Sequence, residues 1–168
     1  MGLTAFGHPL SALSDGIVEM RSGRATPLPL KENHFTIDVL NGLATVKTTR
    51  TFVNEASGSI EALLTFPVPF DAILTGLAAE IDGRRLHAVA KNKENAREIY
   101  EDAIDQGKMA ILHEEPLRGI HMLSIGQLGA GKTVSIETEM VMALEDYSGT
   151  PFIRIPLTVG EIYGNSPL

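Results

Sequence analysis

Apolar and polar positions change rhythm along the chain. The first thirty residues show no sustained period. Pro9, Pro27, Pro29 and four glycines make them loop-like, with one candidate strand at Ile17–Met20. From Phe35 onward the pattern predicts strands. Phe35–Leu40 and Leu43–Asn54 flank Asn41-Gly42, a pair that accepts the positive φ angles of a type I′ hairpin turn. Within the second of these, TVKTTRTFV is rich in threonine and β-branched residues, which suit an extended, half-exposed backbone better than a helix. Ile60–Phe66 predicts a further strand, closed by Pro67 and Pro69, which lack the amide hydrogen a ladder needs. Ile73–Ile81 and Arg85–Val89 flank a second hairpin signal, Asp82-Gly83.

One segment switches to helical spacing. In 92–106, Ala96, Ile99, Tyr100, Ala103 and Ile104 recur at i, i+3, i+4, i+7 and i+8 and make one apolar stripe, with Glu98, Glu101, Asp102 and Asp105 turned away from it. Asn92 is a suitable N-cap, and Gly107 suits the left-handed residue that ends a helix. Strands resume at Lys108–Leu112, Ile120–Leu128, Thr133–Ala143 and Phe152–Ile155. The pattern as a whole predicts a β-rich domain with one packed helix.

Composition narrows the function. A chain of 168 residues with 43% apolar and 21% charged positions fits one globular domain. The formal net charge of −7 argues against a nucleic-acid binder or a basic membrane-surface module. Absence of cysteine excludes disulfide scaffolds, zinc knuckles and thiol nucleophiles. The most apolar stretch, 60–81, is interrupted by Glu61, Pro67, Pro69 and Asp71, so no direct membrane insertion is expected. No signal peptide is visible at the N-terminus, and the ending NSPL suggests one domain cut from a longer protein.

Three clusters invite a chemical reading. Gly126-Gln-Leu-Gly-Ala-Gly131-Lys132-Thr133 satisfies the phosphate-loop pattern G-x-x-x-x-G-K-[ST]. That loop requires a helix directly after the lysine, with its N-terminus aimed at phosphate. Here Val134–Glu139 alternates like a strand, and Met122–Ile125 before it is strand-like too, so a glycine-containing hairpin is expected. His113, Glu114, Glu115 and His121 offer imidazole and carboxylate ligands, but the spacing is no known metal signature, and Pro116 with Gly119 predicts an intervening loop. Arg84 and Arg85 after the Asp82-Gly83 turn read as a solvated hairpin tip. No set assembles a nucleophile, a base and an oxyanion hole, so no catalytic, cofactor-binding or metal residue is assigned.

The order of short motifs resembles the VIT domain, named for vault protein and inter-alpha-trypsin inhibitor heavy chains. The carrying pieces are PLPLKENHFTIDV, TRTFVN with Phe52 and Asn54, and IEALLTFPVP with Phe66, Pro67 and Pro69. They continue through IDGR with Gly83, the helix pattern Lys93, Ala96, Tyr100, Ala103 and Gly107, and IGQLGAGKTVSIE with Gly126, followed by FIRIPLTV. The chain departs from the family pattern at His121, where an aromatic is usual, and at Met140, where a tyrosine is common. The resemblance implies a mainly β fold of β-sandwich-like antiparallel sheets with one packed amphipathic helix. It divides the chain into an extension at 1–26, a VIT domain at 27–158 and a tail at 159–168.

The same resemblance implies a non-enzymatic interaction or scaffolding module without cofactor. Its expected partner is a neighbouring von Willebrand factor type A domain in the same chain. Bacterial members of the family often belong to larger exported or envelope-associated proteins, so an envelope or extracellular setting is the expectation. Two rivals remain: a glycan- or matrix-binding β-sandwich, which 5% aromatic content with no tryptophan disfavours, and a nucleotide-binding enzyme through GQLGAGKT.

Overall fold

The computed structural model of the protein describes residues 17–21, 24–87 and 93–156. In chain order these form β1 (Ile17–Arg21), β2 (Arg24–Pro27), β3 (Leu30–Leu40), β4 (Leu43–Val53), β5 (Ile60–Pro67), β6 (Ile73–Ile81) and β7 (Arg84–His87). The single described helix, α1 (Lys93–Asp105), comes next, and then β8 (Ala110–Leu117), β9 (Ile120–Leu128), β10 (Thr133–Ala143), β11 (Glu145–Tyr147) and β12 (Thr150–Phe152). One antiparallel sheet runs β2-β1-β5-β9-β8, a second runs β3-β4-β10-β6-β7, and β11 with β12 makes a separate hairpin. The fold is therefore mainly β, sandwich-like, with one helix among the described residues.

Turn chemistry sets the registers. Asn41 and Gly42 take φ of 50° and 80°, and Asp82 and Gly83 take 52° and 71°, the two left-handed central residues of a type I′ turn. Leu40 consequently pairs with Leu43, and Ile81 with Arg84. With register fixed, the two-residue side-chain period sends Ala44, Val46, Phe52, Val134, Ile136, Met140 and Met142 to one face of the second sheet. Ala62, Leu64, Phe66, Leu123 and Ile125 of the first sheet meet Phe52, Val134 and Ile136, and Leu28, Ile60, Val68, Ala79, Ile81 and Leu128 complete the main core.

A smaller cluster of Ala44, Val46, Met140 and Met142 lies at the other end of the second sheet, beneath Phe35, Ala72, Leu144, Ile153 and Ile155. Between the two sits a buried polar belt, in which Thr48 pairs with Thr138 and Arg50 lies one inward position further along. Burying Ile153 and Ile155 against this cluster also explains one departure from expectation. The predicted strand Phe152–Ile155 is replaced by β12 at Thr150–Phe152, because the residues after it turn onto the core instead of pairing.

Helix α1 packs over the first sheet, and Gly126 makes room for it. A Cβ placed at Gly126 would sit 1.9 Å from Ile104 Cδ1 and 3.1 Å from the Tyr100 hydroxyl. Tyr100 is buried, and Ala96, Ala103 and Ile104 are half-buried. Ile99, placed in the stripe by its spacing, is instead 47% exposed, because the contact centres on the Tyr100–Ile104 ridge over Gly126 and leaves Ile99 at its margin. Gly107 ends the helix at φ 66°, with Gly107 N–H donating to Ile104 O and Lys108 N–H to Ala103 O, a Schellman arrangement. Asn92 and Val89 lie outside the described residues.

The predicted strand at Lys108–Leu112 runs instead from Ala110 to Leu117, and the loop expected from Pro116 is part of it. Proline is tolerated there because β8 is an edge strand and Pro116 falls in the register shift between Glu114 and Leu117. Substituting Gly126→Ala is expected to cost about 1–3 kcal/mol in urea unfolding by overpacking the helix seat. Gly126→Ala combined with Ile104→Ala should cost less than the sum of the two single changes, and strict additivity would count against this seat.

Candidate functional site

The phosphate-loop-like segment is a turn built around Asn54. Asn54 closes β4 and is 1% exposed. Its Nδ2 donates to the carbonyls of Gly58, Leu128 and Gly129, each at 2.9 Å, while its Oδ1 accepts from Ala56 N–H. Two amide hydrogens serve three carbonyls, so one bond is three-centred. The Asn54 main chain is engaged as well: its N–H donates to Lys132 O and its carbonyl accepts from Gly131 N–H.

A nucleotide site would need the amides after Gly126 turned toward phosphate and a helix after Lys132. Gly131 N–H instead bonds Asn54 and Lys132 N–H bonds Gly129 O, and Thr133 starts β10. The Lys132 ammonium reaches Asp82 at the neighbouring hairpin tip, 2.8–2.9 Å from its two carboxylate oxygens. The geometry is that of the expected hairpin, with its lysine held by a carboxylate.

His113 and His121, assigned to opposite sides of a loop by sequence, are brought together by the β8–β9 hairpin. His113 Nε2 lies 3.0 Å from His121 Nδ1, with the rings within 13° of parallel and their centroids 5.2 Å apart. The N···N distance plus the two ring radii accounts for nearly all of that separation, so the rings lie edge to edge in almost one plane and share one N–H···N bond. Phe66 lies alongside, its ring 5.4 Å from His121 and 6.4 Å from His113, with both imidazoles within 18° of parallel to it.

Glu115 Oε1 stands 4.0 Å from His121 Nε2 and accepts from Gly119 N–H at 2.8 Å. A proton on His121 Nε2 suits that carboxylate, leaving Nδ1 to accept from His113. Ligation of one ion would need both inner lone pairs converging at about 2.0–2.1 Å from the metal. Here they point at each other. Among the described residues, no group of three or more His, Asp or Glu is arranged to hold a metal ion. Burial lowers the basicity of both imidazoles, and His121 lowers that of His113 further, while Glu115 opposes the effect in each.

Four charged residues on the outer face of the second sheet pair with one another. Both guanidinium nitrogens of Arg85 bond the Glu137 carboxylate, raising the arginine's affinity for its proton and lowering that of the carboxyl. Lys47 and Thr75 hold Glu139 from two sides, lowering its pKa through those hydrogen bonds. A shallow groove runs across this face, between Thr36, Lys47, Arg85 and Glu137. Its lining carries no Phe or Tyr.

The residues that carried the family resemblance serve the fold. Phe52 and Phe66 are core, Pro67 is buried at the end of β5, and Pro69 accepts from Ala72 N–H in the next turn. Tyr100 donates to Glu61 Oε1 at 3.0 Å, and burial, with that carboxylate, pushes its phenol far above the ordinary range. Gly83, Gly107 and Gly126 supply a turn, a helix end and a helix seat.

A two-sheet sandwich with one helix seated on a glycine, and a glycine-rich turn tied by a buried asparagine, defines the class of fold. The family model "Vault protein inter-alpha-trypsin domain" matches residues 30–140, and the chain belongs to that family. The chain is 30% identical over 140 residues to mouse protein mono-ADP-ribosyltransferase PARP4, covering 83% of this chain and 7% of that protein. It is 30% identical over 125 residues to rat von Willebrand factor A domain-containing protein 5A, covering 73% of this chain and 15% of that protein. A von Willebrand factor A domain-containing protein of Dictyostelium discoideum is 31% identical over 67 residues, covering 40% of this chain and 7% of its own length. The chain thus spans a small fraction of these relatives. They are eukaryotic, so the expectation of a bacterial setting draws no support from them.

Asn54→Ala should destabilise the domain by about 2–4 kcal/mol, since it strands buried carbonyls. Asn54→Asp, nearly the same size, should cost at least as much at neutral pH because a carboxylate has no hydrogen to give. Equal denaturation midpoints for wild type and Asn54→Asp would contradict the clamp. The histidine pair makes stability pH-dependent. Its contribution is complete above the ordinary histidine pKa of about 6.5, where both states hold neutral rings. As pH falls below that value, the unfolded chain takes up protons that the folded pair resists, and stability drops. His121→Phe should flatten this limb in denaturant titrations, and an unchanged slope would remove the pair as its cause.

Proposed function

We propose that this domain is a non-catalytic interaction module of a larger polypeptide carrying a von Willebrand factor type A domain, against which it packs. Similarity to proteins named for that domain, each far longer than this chain, supports the partner. The observation that carries the reading is the contrast between the groups used up inside the domain and those left outside. Lys132 is paired with Asp82, His113 with His121 and Arg85 with Glu137, which leaves these groups poorly placed for chemistry on a substrate. At one end of the second sheet, Leu40, Leu43 and Ile73 are 73%, 50% and 69% exposed.

Register places these three together, with Leu43 opposite Ala143 and Ile73 opposite Val141 on β10. The same end carries the small core cluster on which Ile153 and Ile155 pack. Leu40, Leu43 and Ile73 project from the opposite, outer face of the sheet, and exposed apolar side chains grouped in this way are suited to covering by another domain. The glycan-binding reading gains nothing from a groove without Phe, Tyr or Trp, and the nucleotide reading gains nothing from a turn whose amides are already bonded. The expected setting is extracellular or envelope-associated. No helix among the described residues is long and apolar enough to cross a membrane.

An antibody raised against the domain should detect, in fractionated source cells, a band much larger than 18.1 kDa in the secreted or envelope fraction. In that native protein, Leu43→Asp should loosen the domain contact and speed limited proteolysis between the two domains. A native band at 18.1 kDa overturns the larger-polypeptide reading, and a cytoplasmic band overturns the setting alone.

A further inference from the structure

Among the described residues strand β3 is an edge of the second sheet, and over 33–40 it carries less protection than the other edges. β7 has four residues and presents Arg84 and Arg85, and β2 has four and ends at Pro27. β8 carries Glu114, Glu115 and Pro116 at a register shift. Short length, charge, proline and bulges are the devices by which an edge avoids further pairing. β3 has eleven residues and no proline. Its one register shift lies at its start, between Leu30 and Glu32, beside the charges Lys31 and Glu32. From 33 to 40 the register with β4 is unbroken, and Asp38 is the one Asp, Glu, Lys or Arg. Phe35 is half-buried, whereas Ile37 is 45% and Val39 56% exposed, although all three lie on the face that is core elsewhere in the sheet.

The tight Asn41-Gly42 turn makes Leu40 and Leu43 the first hydrogen-bonded pair of the β3–β4 ladder. Bonding then alternates, so Asp38, Thr36 and His34 use their main-chain groups toward β4. Asn33, Phe35, Ile37 and Val39 turn theirs to the open edge. We propose that this edge pairs with the same edge of a second copy, joining two antiparallel β3 strands about a two-fold axis at Thr36 into one continuous sheet.

The register is set by charge and shape. An axis at Thr36 puts Phe35 of one copy opposite Ile37 of the other, and His34 opposite Asp38, each pair occurring twice. Aromatic with β-branched and base with acid are favourable cross-strand pairs. It also places the edge-facing main-chain groups of residues 35 and 37 in hydrogen-bonding positions. Moving the axis to Phe35 would oppose Glu32 and Asp38, two carboxylates, and moving it to Ile37 would leave Asp38 opposite Thr36. Among the described residues Asp38 has no ion-pair partner within its own copy. A single strand edge is a small interface, below about 1,200 Å², so the dimer is reversible. The inference stands whether or not the polypeptide carries a von Willebrand factor type A domain.

Sedimentation equilibrium of the 168-residue chain over a rising micromolar series tests it. The average mass should climb from 18.1 kDa toward twice that value. Asp38→Lys, which removes the acid opposite His34 twice, should weaken association by about tenfold, and His34→Glu together with Asp38→Lys, which places a carboxylate opposite an ammonium twice, should restore it. Ile37→Pro removes an edge-facing N–H that β4 does not use and should abolish the dimer, with circular dichroism confirming that the domain stays folded. A mass of 18.1 kDa at every concentration overturns the proposal, leaving the edge to a strand from another polypeptide. A dimer indifferent to both Asp38→Lys and Ile37→Pro overturns it equally.

Discussion

The Asn54 side chain joins parts of the molecule that no continuous ladder joins. It leaves the end of β4 in the second sheet, and its amide reaches the carbonyls of Leu128 and Gly129, where β9 of the first sheet stops. It also fixes the start of the loop that leads to β5, through Gly58 and Ala56. A sandwich held by apolar contact alone leaves some freedom for one sheet to slide over the other, because the hydrophobic effect is non-directional. A buried amide with fixed acceptors removes that freedom. Only asparagine or glutamine carries a donor pair and an acceptor on one side chain, and glutamine is a methylene too long for this cage.

With the sheets fixed at that corner, the remaining layers fall into place. The main core fills the overlap, and the belt of Thr48, Thr138 and Arg50 marks where the first sheet stops covering the second. Beyond the belt the smaller cluster is closed by chain rather than by sheet, through Leu144, Ile153 and Ile155. That cover reaches Ala44 and Val46 but not their neighbours on β3, and Val39 and Ile37 are left open opposite them. The exposed strip is thus a consequence of how far each layer extends. Helix α1 performs the opposite service on the outer face of the first sheet, where a missing side chain at Gly126 lets it approach closely.

How much of this is legible in the sequence depends on whether the cause is local. Asn41-Gly42 and Asp82-Gly83 announce their hairpins because the required φ angles are a property of those residues alone. Gly107 announces the helix end for the same reason. Ser148-Gly149 makes a third turn of this kind, with φ of 53° and 81°, and gives no comparable signal because no long strands frame it. The histidine pair escapes a local reading because Pro116 argues for a loop, and only the position of β8 at a sheet edge makes that proline harmless. Asn54 stands out by family resemblance, yet its partners at Leu128 and Gly129 lie more than seventy positions away, beyond the reach of any local pattern. Exposure of Ile37 and Val39 is equally out of reach, since a strand pattern does not say how far the opposite sheet extends.

The same local-versus-distant distinction bears on the segment GQLGAGKT. Gly126 and Gly131 satisfy a phosphate-binding pattern letter by letter, with Gly129 between them, but each of the three serves a different physical need. Gly126 clears the space that Ile104 and Tyr100 occupy, and Gly131 takes φ of 70° in the turn. Gly129 offers its carbonyl to Asn54. A phosphate loop depends on the element after it, a helix whose first amides stay free, and here the next residues enter β10 with Val134 and Ile136 in the core. The composition that would cradle an anion in one context therefore closes a sandwich in another, and the difference is carried by the alternation of Val134 to Glu139 rather than by the motif itself. Among the described residues the exposed surface includes the main-chain edge of β3 and the apolar side chains of Leu40, Leu43 and Ile73, two kinds of surface through which polypeptides in general recognise one another.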